Sequence, residues 1–361
     1  MNPPKFKIPS YLKALAILTL IIIIVFILII GRSILIPLFL AGFIAVLLTP
    51  VTEWLESKKF SRIISTFFAL FSSLLLIVGF IAFVVTQVAS FTKDLKDVGG
   101  KLNSNLRDVD DFLKSNFKLE TGIGNGIDQE YIIDMLQSNS SSISEFVLGT
   151  LGSLAGVVLL PVFIFFFLLY RDHLTKFIVK IYAENDQENI RKEIKNLRRL
   201  VQNYIIGMVK VMAILAVMNT AVLLGLGIKH AIFFAVFAAV LNIIPYLGPF
   251  LGAILPTLYA FLTMDSLFYP IGVVVAFQII QLIESNFLTP KIVGSNVNLN
   301  AFITFIGLLI GASIWGVIGM ILIIPTLAVL RKIFELSESS KPYAFLLGEE
   351  IDDEKDDLEK L

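Results

Sequence analysis

From Ala14 to Ile30 the chain runs for seventeen residues without a charge. Apolar runs of similar or greater length return at 34–55, 63–89, 146–170, 204–228 and 266–284. A helix needs about 20 mostly apolar residues to cross a hydrocarbon core about 30 Å thick. These runs restrict the fold more than any other feature, because lipid offers no partner for backbone N–H and C=O groups. Composition agrees. Hydrophobic residues make up 57% of the 361 and charged residues 16%, against roughly a quarter charged in soluble domains. Mean hydropathy is +0.86. The predicted fold class is all-α: a polytopic membrane protein with about six full transmembrane helices and two re-entrant helical hairpins of opposite orientation.

The first run follows Lys5, Lys7 and Lys13 and has the layout of a signal peptide. Its apolar core exceeds the roughly 7–15 residues of such signals, and the following Gly-Arg-Ser is a poor cleavage site. A second run begins at once, so the first reads as a retained helix. The formal net charge is zero and there is no cysteine. Nucleic acid is therefore not an expected partner, and disulfide and thiol chemistry are excluded.

Positive charge sets orientation. The N-terminal lysines, then Lys58, Lys59 and Arg62, then the basic residues from Arg171 to Arg199, and finally Arg331 and Lys332 are all expected on the cytoplasmic side. This places both termini inside, in a bacterial plasma or inner membrane. The predicted organisation has five parts. Residues 1–89 hold the N-terminal spans, and 90–145 form an extracytoplasmic helical excursion. Residues 146–228 hold two spans joined by a basic linker at 171–203. Residues 229–332 form the transport region, and 333–361 an acidic, solvated tail. Within the excursion, Leu95, Val98, Leu102, Leu106, Val109 and Leu113 share a helix face. A short helix is expected at 129–137, behind Asp128 as its cap. In the linker, Ile190, Ile194, Leu197, Val201 and Tyr204 oppose Arg191, Lys192, Lys195 and Arg199. This marks an amphipathic helix that either lies on the membrane or links two spans.

Residues 241–256 read LNIIPYLGPFLGAILP. Ala231 to Ile244 is fourteen residues, about 21 Å as a helix, too short to cross. Pro245 and Pro249 lack a backbone donor and clash with the preceding turn, and Gly248 relieves the turn sterically. The stretch 299–330 is interrupted likewise by GASIWGVIG. Two hairpins, one from each side, with a single full span between them satisfy the topology. Backbone freed at such breaks is tolerated where protein buries it or a wet cavity meets it, and paired interruptions point to a transport site. The two regions also share an echo: Gly248, Gly252 and Pro256-Thr257-Leu258 against Gly316, Gly319 and Pro325-Thr326-Leu327.

The segments LNIIPYLGPFLGAILP, ESNFLTPKIVGSNVNLN and GASIWGVIGMILIIP resemble the autoinducer-2 exporter family of bacterial membrane proteins, across nearly the whole chain. Pro245-Tyr246-Leu247-Gly248-Pro249 and Pro290-Lys291-Ile292-Val293-Gly294 carry most of that resemblance. It implies a transporter that forms homo-oligomers. Some members are linked to export of autoinducer-2 and others to sodium–proton exchange.

Ionisable groups inside the membrane are expensive and mark function. Glu284 ends the span 266–284 beside Asn286, Pro290 and Lys291. It is read as a proton- or cation-binding group or a partner of Lys291. Gln278, Gln281 and Ser285 fall at helical spacing on one polar face turned to a cavity. Asn242 and Tyr246 flank the first break, with Pro245, Gly248 and Pro249 forming it. Asn298, Asn300 and Thr304 lie near the second hairpin's entrance, and Gly316 lies at its break. These uncharged groups suit a small polar solute. Lys210 is expected to snorkel, His230 to sit at an outer turn and Asp265 to cap the next span.

No Walker loop, metal-ligand spacing or nucleophile–base arrangement is visible. No cofactor and no enzymatic activity are expected. Partners are the bilayer, a small polar solute and protons or sodium. The leading reading is secondary export of a small hydrophilic metabolite or signal. A sodium–proton antiporter using Glu284 and a non-transporting membrane scaffold stay open as alternatives.

Overall fold

The computed structural model describes residues 9–94, 99–119, 154–182, 187–245, 247–293, 299–335 and 340–349. The helix expected at 129–137, Tyr246, Asn298 and the tail beyond residue 349 lie outside these. The described residues are helical throughout, apart from connections and one isolated bridge between Leu299 and Gly348. The molecule is an all-α polytopic membrane protein.

Helix α1 (Ser10–Ile30) turns at Gly31 into α2 (Arg32–Ser57), and α3 (Arg62–Asp94) returns antiparallel to it. At 33 residues, α3 is about 50 Å long, so it must tilt or project beyond the lipid. Helix α4 (Gly99–Phe117) lies in the segment expected to form the excursion. Helix α5 (Leu154–Leu169) is followed, after a 67° bend, by α6 (Arg171–Tyr182). Helix α7 (Gln187–Gly225) begins in the basic linker and continues as a span. Six helices of the described residues are long and apolar enough to cross a membrane.

No residue of α1 from Tyr11 to Ile30 is buried. Apolar surface of that extent is an aggregation liability in water, and lipid contact removes it. Between α2 and α5, Ala41 and Ala45 are buried beside Ile164 and Leu168. Alanines one turn apart let helix backbones approach, as in other membrane helix pairs. This body, α2–α3–α5, has its own core. A second body is built around α7.

Helix α8 (Ala231–Leu241) and α9 (Leu247–Thr263) form the first hairpin. Gly248 faces the backbone of Leu241 and Asn242, and a side chain there would overlap the Leu241 carbonyl. Gly252 meets Ala238 in the same way, at 2.9 Å. The break differs from the expectation of freed peptide groups. Its N–H groups are bonded within the turn: Asn242 to Ala238, Ile243 to Val240, Ile244 to Leu241 and Gly248 to Ile244, all at 2.8–3.1 Å. Turn-type bonds replace helical ones locally.

Helix α10 (Phe268–Ile283) follows. Ser266 Oγ accepts from the Phe268 N–H at its start. After a π turn at Glu284–Leu288 and α11 (Thr289–Ile292) comes α12 (Ala301–Glu335). Its 35 residues would span about 52 Å if straight. They do not run straight. Trp315 has φ −131° and ψ 17°, Gly316 has φ 62° and ψ −139°, and the chain folds back there. Gly311 and Gly319 touch, and Gly307 lies against Ile323 and Leu327. Residues sixteen and twenty positions on would be about 24–30 Å away along one helix. Region 299–330 is therefore a second helical hairpin. Its return leg repeats the first in one respect: a glycine packs on the outgoing leg, with a buried proline a turn or two further on (Gly252 and Pro256; Gly319 and Pro325).

Helix α13 (Lys341–Leu347) closes on the base of this second hairpin. The Asn300 N–H donates to Leu347 O at 2.9 Å, and a side chain at Gly348 would lie 3.3 Å from the Arg331 guanidinium. The first part of the expected solvated tail is thus folded.

Candidate functional site

Pro290 removes one rung of the helical ladder just after α10, because it has no N–H to offer. The chain widens into the π turn Glu284–Leu288 before α11 resumes. Such turns are frequent at functional sites. Here the turn directs Glu284 inward, leaving it only 8% exposed. Gln281 Nε2 donates to Glu284 Oε2 at 2.8 Å, and Thr289 Oγ1 donates to Glu284 Oε1. The neighbouring backbone is tightly packed: a side chain at Gly207 of α7 would meet Ile292 O at 2.9 Å.

The structure brings Gln281, Glu284 and Thr289 together. It does not bring Lys291 to Glu284, since no ion pair joins them and Lys291 is exposed. Gln278, Asn286 and Pro290 are exposed as well. Ser285 and Asn286 donate to Gln281 O and Leu282 O, both at 2.8 Å. Of the polar row Gln278–Gln281–Ser285, only Gln281 turns into the fold. Asn242 ends α8 through its backbone, and Pro245 is half-buried in the break. Pro249 lies in the first turn of α9. Thr304 donates to Asn300 O at 2.9 Å. Gly316 holds the left-handed position at the second break.

A cavity of about 120 Å³ lies where the two bodies meet. Helix α2 contributes Phe43 and Leu47, α7 contributes Tyr204 and Met208, the first break contributes Ile243, and the second hairpin's return leg contributes Ile321 and Leu322. The lining is apolar apart from the Tyr204 hydroxyl. The hairpins reach this space side by side: the tip of the first meets the return leg of the second. The tip of the second lies elsewhere. Trp315 Nε1 donates to Leu28 O of α1 at 2.9 Å, and its ring meets Phe39 of α2 edge-on at 5.4 Å.

Several further polar residues hold the site's surroundings and had no distinguishing sequence signal. Arg171 donates to Glu56 at 2.6 Å and to Thr52 at 2.8 Å, locking α6 to the end of α2. Arg62 pairs with Asp172 at 2.7 Å. Burial alone pushes the Asp172 carboxyl up, but the Arg62 bond and the charges of Arg62, Arg171 and Arg198 outweigh it. They hold it below the usual carboxylate range. Asn105 of α4 is 1% exposed and donates to Phe261 O and Met264 O at 2.6 and 3.0 Å, covering the end of α9. Asn219, buried near the C-terminal end of α7, has an Oδ1 with no bonded partner among the described residues. Among those residues no three histidines, carboxylates or thiols converge as metal ligands.

A family profile described as AI-2E family transporter matches residues 17–338. A Haemophilus influenzae protein, named provisionally as a transport protein, is 24% identical over 88% of this chain and 91% of its own length. YueF of Bacillus subtilis, named in the same provisional way, is 27% identical over 82% of each chain. The AI-2 transport protein TqsA of Escherichia coli is 22% identical over 88% of this chain and 90% of its own.

Proposed function

This chain belongs to the AI-2E family of transporters, and from that premise we propose that it is a secondary active exporter of a small hydrophilic solute, with Glu284 binding the coupling ion. The observation that carries the reading is a carboxylate 8% exposed whose bonded partners are a carboxamide and a hydroxyl. Starting from Phe268, Glu284 lies about 24 Å along a helix crossing a core about 30 Å thick. An ionised carboxylate at that depth without a cation is costly. Taking up a proton or a cation removes the cost, and this links the carboxylate's state to the arrangement of its helix. Autoinducer-2, the solute in the name of the E. coli relative, is one hydrophilic candidate.

In this reading the two hairpins enter the bilayer from opposite faces, both termini are cytoplasmic, and the chain works as a homo-oligomer in a bacterial inner membrane. The uncovered surface of α1 favours such assembly. Sodium–proton antiport is the second reading. Glu284 and Thr289 offer oxygen atoms of the kind a hard cation takes.

Proteoliposomes with an imposed pH gradient separate the two. Export coupled to protons collapses the gradient when autoinducer-2 is added without sodium, whereas antiport collapses it with sodium alone. Glu284→Gln abolishes the proton flux in either case while leaving size-exclusion behaviour unchanged. No proton flux with either addition overturns secondary transport of these solutes. An undiminished flux in Glu284→Gln overturns the role of that carboxylate.

A further inference from the structure

Helix α5 exposes Val158, Val162 and Phe166, and Tyr170 follows exposed just past its end, four apolar or aromatic residues at intervals of about one turn. In a polytopic membrane protein this stripe is a lipid-facing strip. The chain then bends by 67° into α6. The stripe does not stop at the bend. Leu174 and Ile178 continue the same four-residue interval, and Phe177 joins them; all three are exposed.

Helix α6 has three faces, as the 3.6-residue repeat requires. Arg171, Thr175 and Val179 turn towards protein. Arg171 is tied to Thr52 and Glu56, Thr175 donates to Arg171 O, and Val179 is 3% exposed. Leu174, Phe177 and Ile178 form the uncovered apolar face. His173, Lys176 and Lys180 form the third, and all are exposed. An apolar face beside a cationic one, on a helix strongly inclined to its neighbouring span, is the pattern of helices that lie in a membrane interface. Long lysine stems let the ammonium groups stay at headgroup level while the apolar residues sit below them.

We propose that α6 lies in the headgroup layer of the bilayer, with Leu174, Phe177 and Ile178 immersed in the leaflet and Lys176 and Lys180 at the phosphates. The occupant of the apolar face is phospholipid, because that face continues the lipid-facing stripe of α5 without a break. The ties from Arg171 to α2 and from Asp172 to Arg62 fix the roll of α6 about its axis. Together they make the bend a rigid corner through which the leaflet's position bears on the start of α7. The inference needs only a membrane-spanning chain, so it stands or falls separately from the choice of solute and coupling ion.

The chain has no cysteine, so single substitutions label cleanly. Nitroxides are placed by Leu174→Cys, Phe177→Cys and Ile178→Cys on one face and His173→Cys, Lys176→Cys and Lys180→Cys on the other. Val162→Cys on α5 serves as the lipid reference. The full-length protein is reconstituted in phosphatidylglycerol–phosphatidylethanolamine liposomes, and power saturation compares oxygen with a water-soluble nickel chelate. At 174, 177 and 178, as at 162, collisions with oxygen are expected to exceed those with nickel several-fold; at 173, 176 and 180 the order reverses. Nickel access at all six positions overturns the proposal in favour of a solvated helix. Loss of access to both reagents at 174, 177 and 178, with dipolar broadening between labels, overturns it in favour of a second copy covering the face. Three positions on each face guard against one label disturbing the fold.

Discussion

Gly319 has no room for a side chain: a methyl group there would overlap the carbonyl of Gly311, and one on Gly311 would lie 2.6 Å from the Gly319 carbonyl. Both neighbours are backbone, so neither can swing away. Gly319→Ala is expected to destabilise the protein by on the order of 1–3 kcal/mol, the usual cost of overpacking. Gly79 in α3 has nothing within 4 Å of its absent side chain. There the same substitution is neutral or stabilising by up to about 1 kcal/mol, through helix propensity alone. Thermal unfolding in detergent compares the two variants, and equal melting temperatures would contradict the fold-back at Trp315. The sequence made these breaks legible because proline and glycine act on their own backbone. It left the contacts of Asn105 and Arg171 unmarked because the partners of a polar side chain can lie more than a hundred positions away. Asn105 meets Phe261 and Arg171 meets Glu56, and no local pattern announces either contact.

At the scale of elements, length and hydropathy pick out five stretches that form long helices, at 10–30, 32–57, 62–94, 187–225 and 268–283, while the span expected at 146–170 is described only from Leu154 and bends by 67° after Leu169. The apolar stretches at 231–241 and 247–263 are too short to cross and pack on one another. What length alone misreads is α12. Its 35 residues pass any length test for a crossing helix; the glycines of GASIWGVIG point to the break, and the backbone at Trp315–Gly316 with the contacts across the two legs shows the hairpin. Composition also misreads Lys341–Leu347, which sits near a dense run of acidic residues yet forms a helix bridging both ends of the second hairpin. Helix α4 has a comparable role on the first hairpin, since Asn105 covers carbonyls at the end of α9. Asn105→Ala removes both bonds at once. The expected cost is about 1–3 kcal/mol, that of leaving buried groups unpaired. It should appear locally, as faster hydrogen exchange at 258–264 with the exchange of α2 unchanged. Uniform acceleration across both regions would instead mark Asn105 as a global core residue.

The whole molecule divides into a body of α2, α3 and α5 and a body built on α7 to α11, each with its own core. Few polar links cross between them among the described residues: Arg198 reaches Glu53 at 3.6 Å, and His230 Nδ1 lies 3.3 Å from Gln87 Oε1 of α3. At the α6 end the first body is closed by Arg62–Asp172. Because the folded-state value of Asp172 is depressed, the pair contributes above the ordinary carboxylate range, near pH 4. It is lost as pH falls through the lower folded value. The side chain is 61% exposed, so the effect is small, as for surface pairs generally. Asp172→Asn should remove only a minor, acid-side part of the pH–stability profile measured by thermal unfolding. The larger consequence lies at the seam. Alternating access requires two bodies that shift against one another, and densely packed cores resist continuous deformation. A cavity between α2 and the return leg of the second hairpin is where such a shift meets least resistance. Phe43→Cys together with Ile321→Cys places one thiol on each side of it. A short bismaleimide bridging the two should stop solute-dependent proton flux in proteoliposomes, while either single variant treated alike keeps it. Flux that survives quantitative bridging would mean that the bodies do not move across this cavity, and that transport, if it occurs, uses motion within the hairpins themselves.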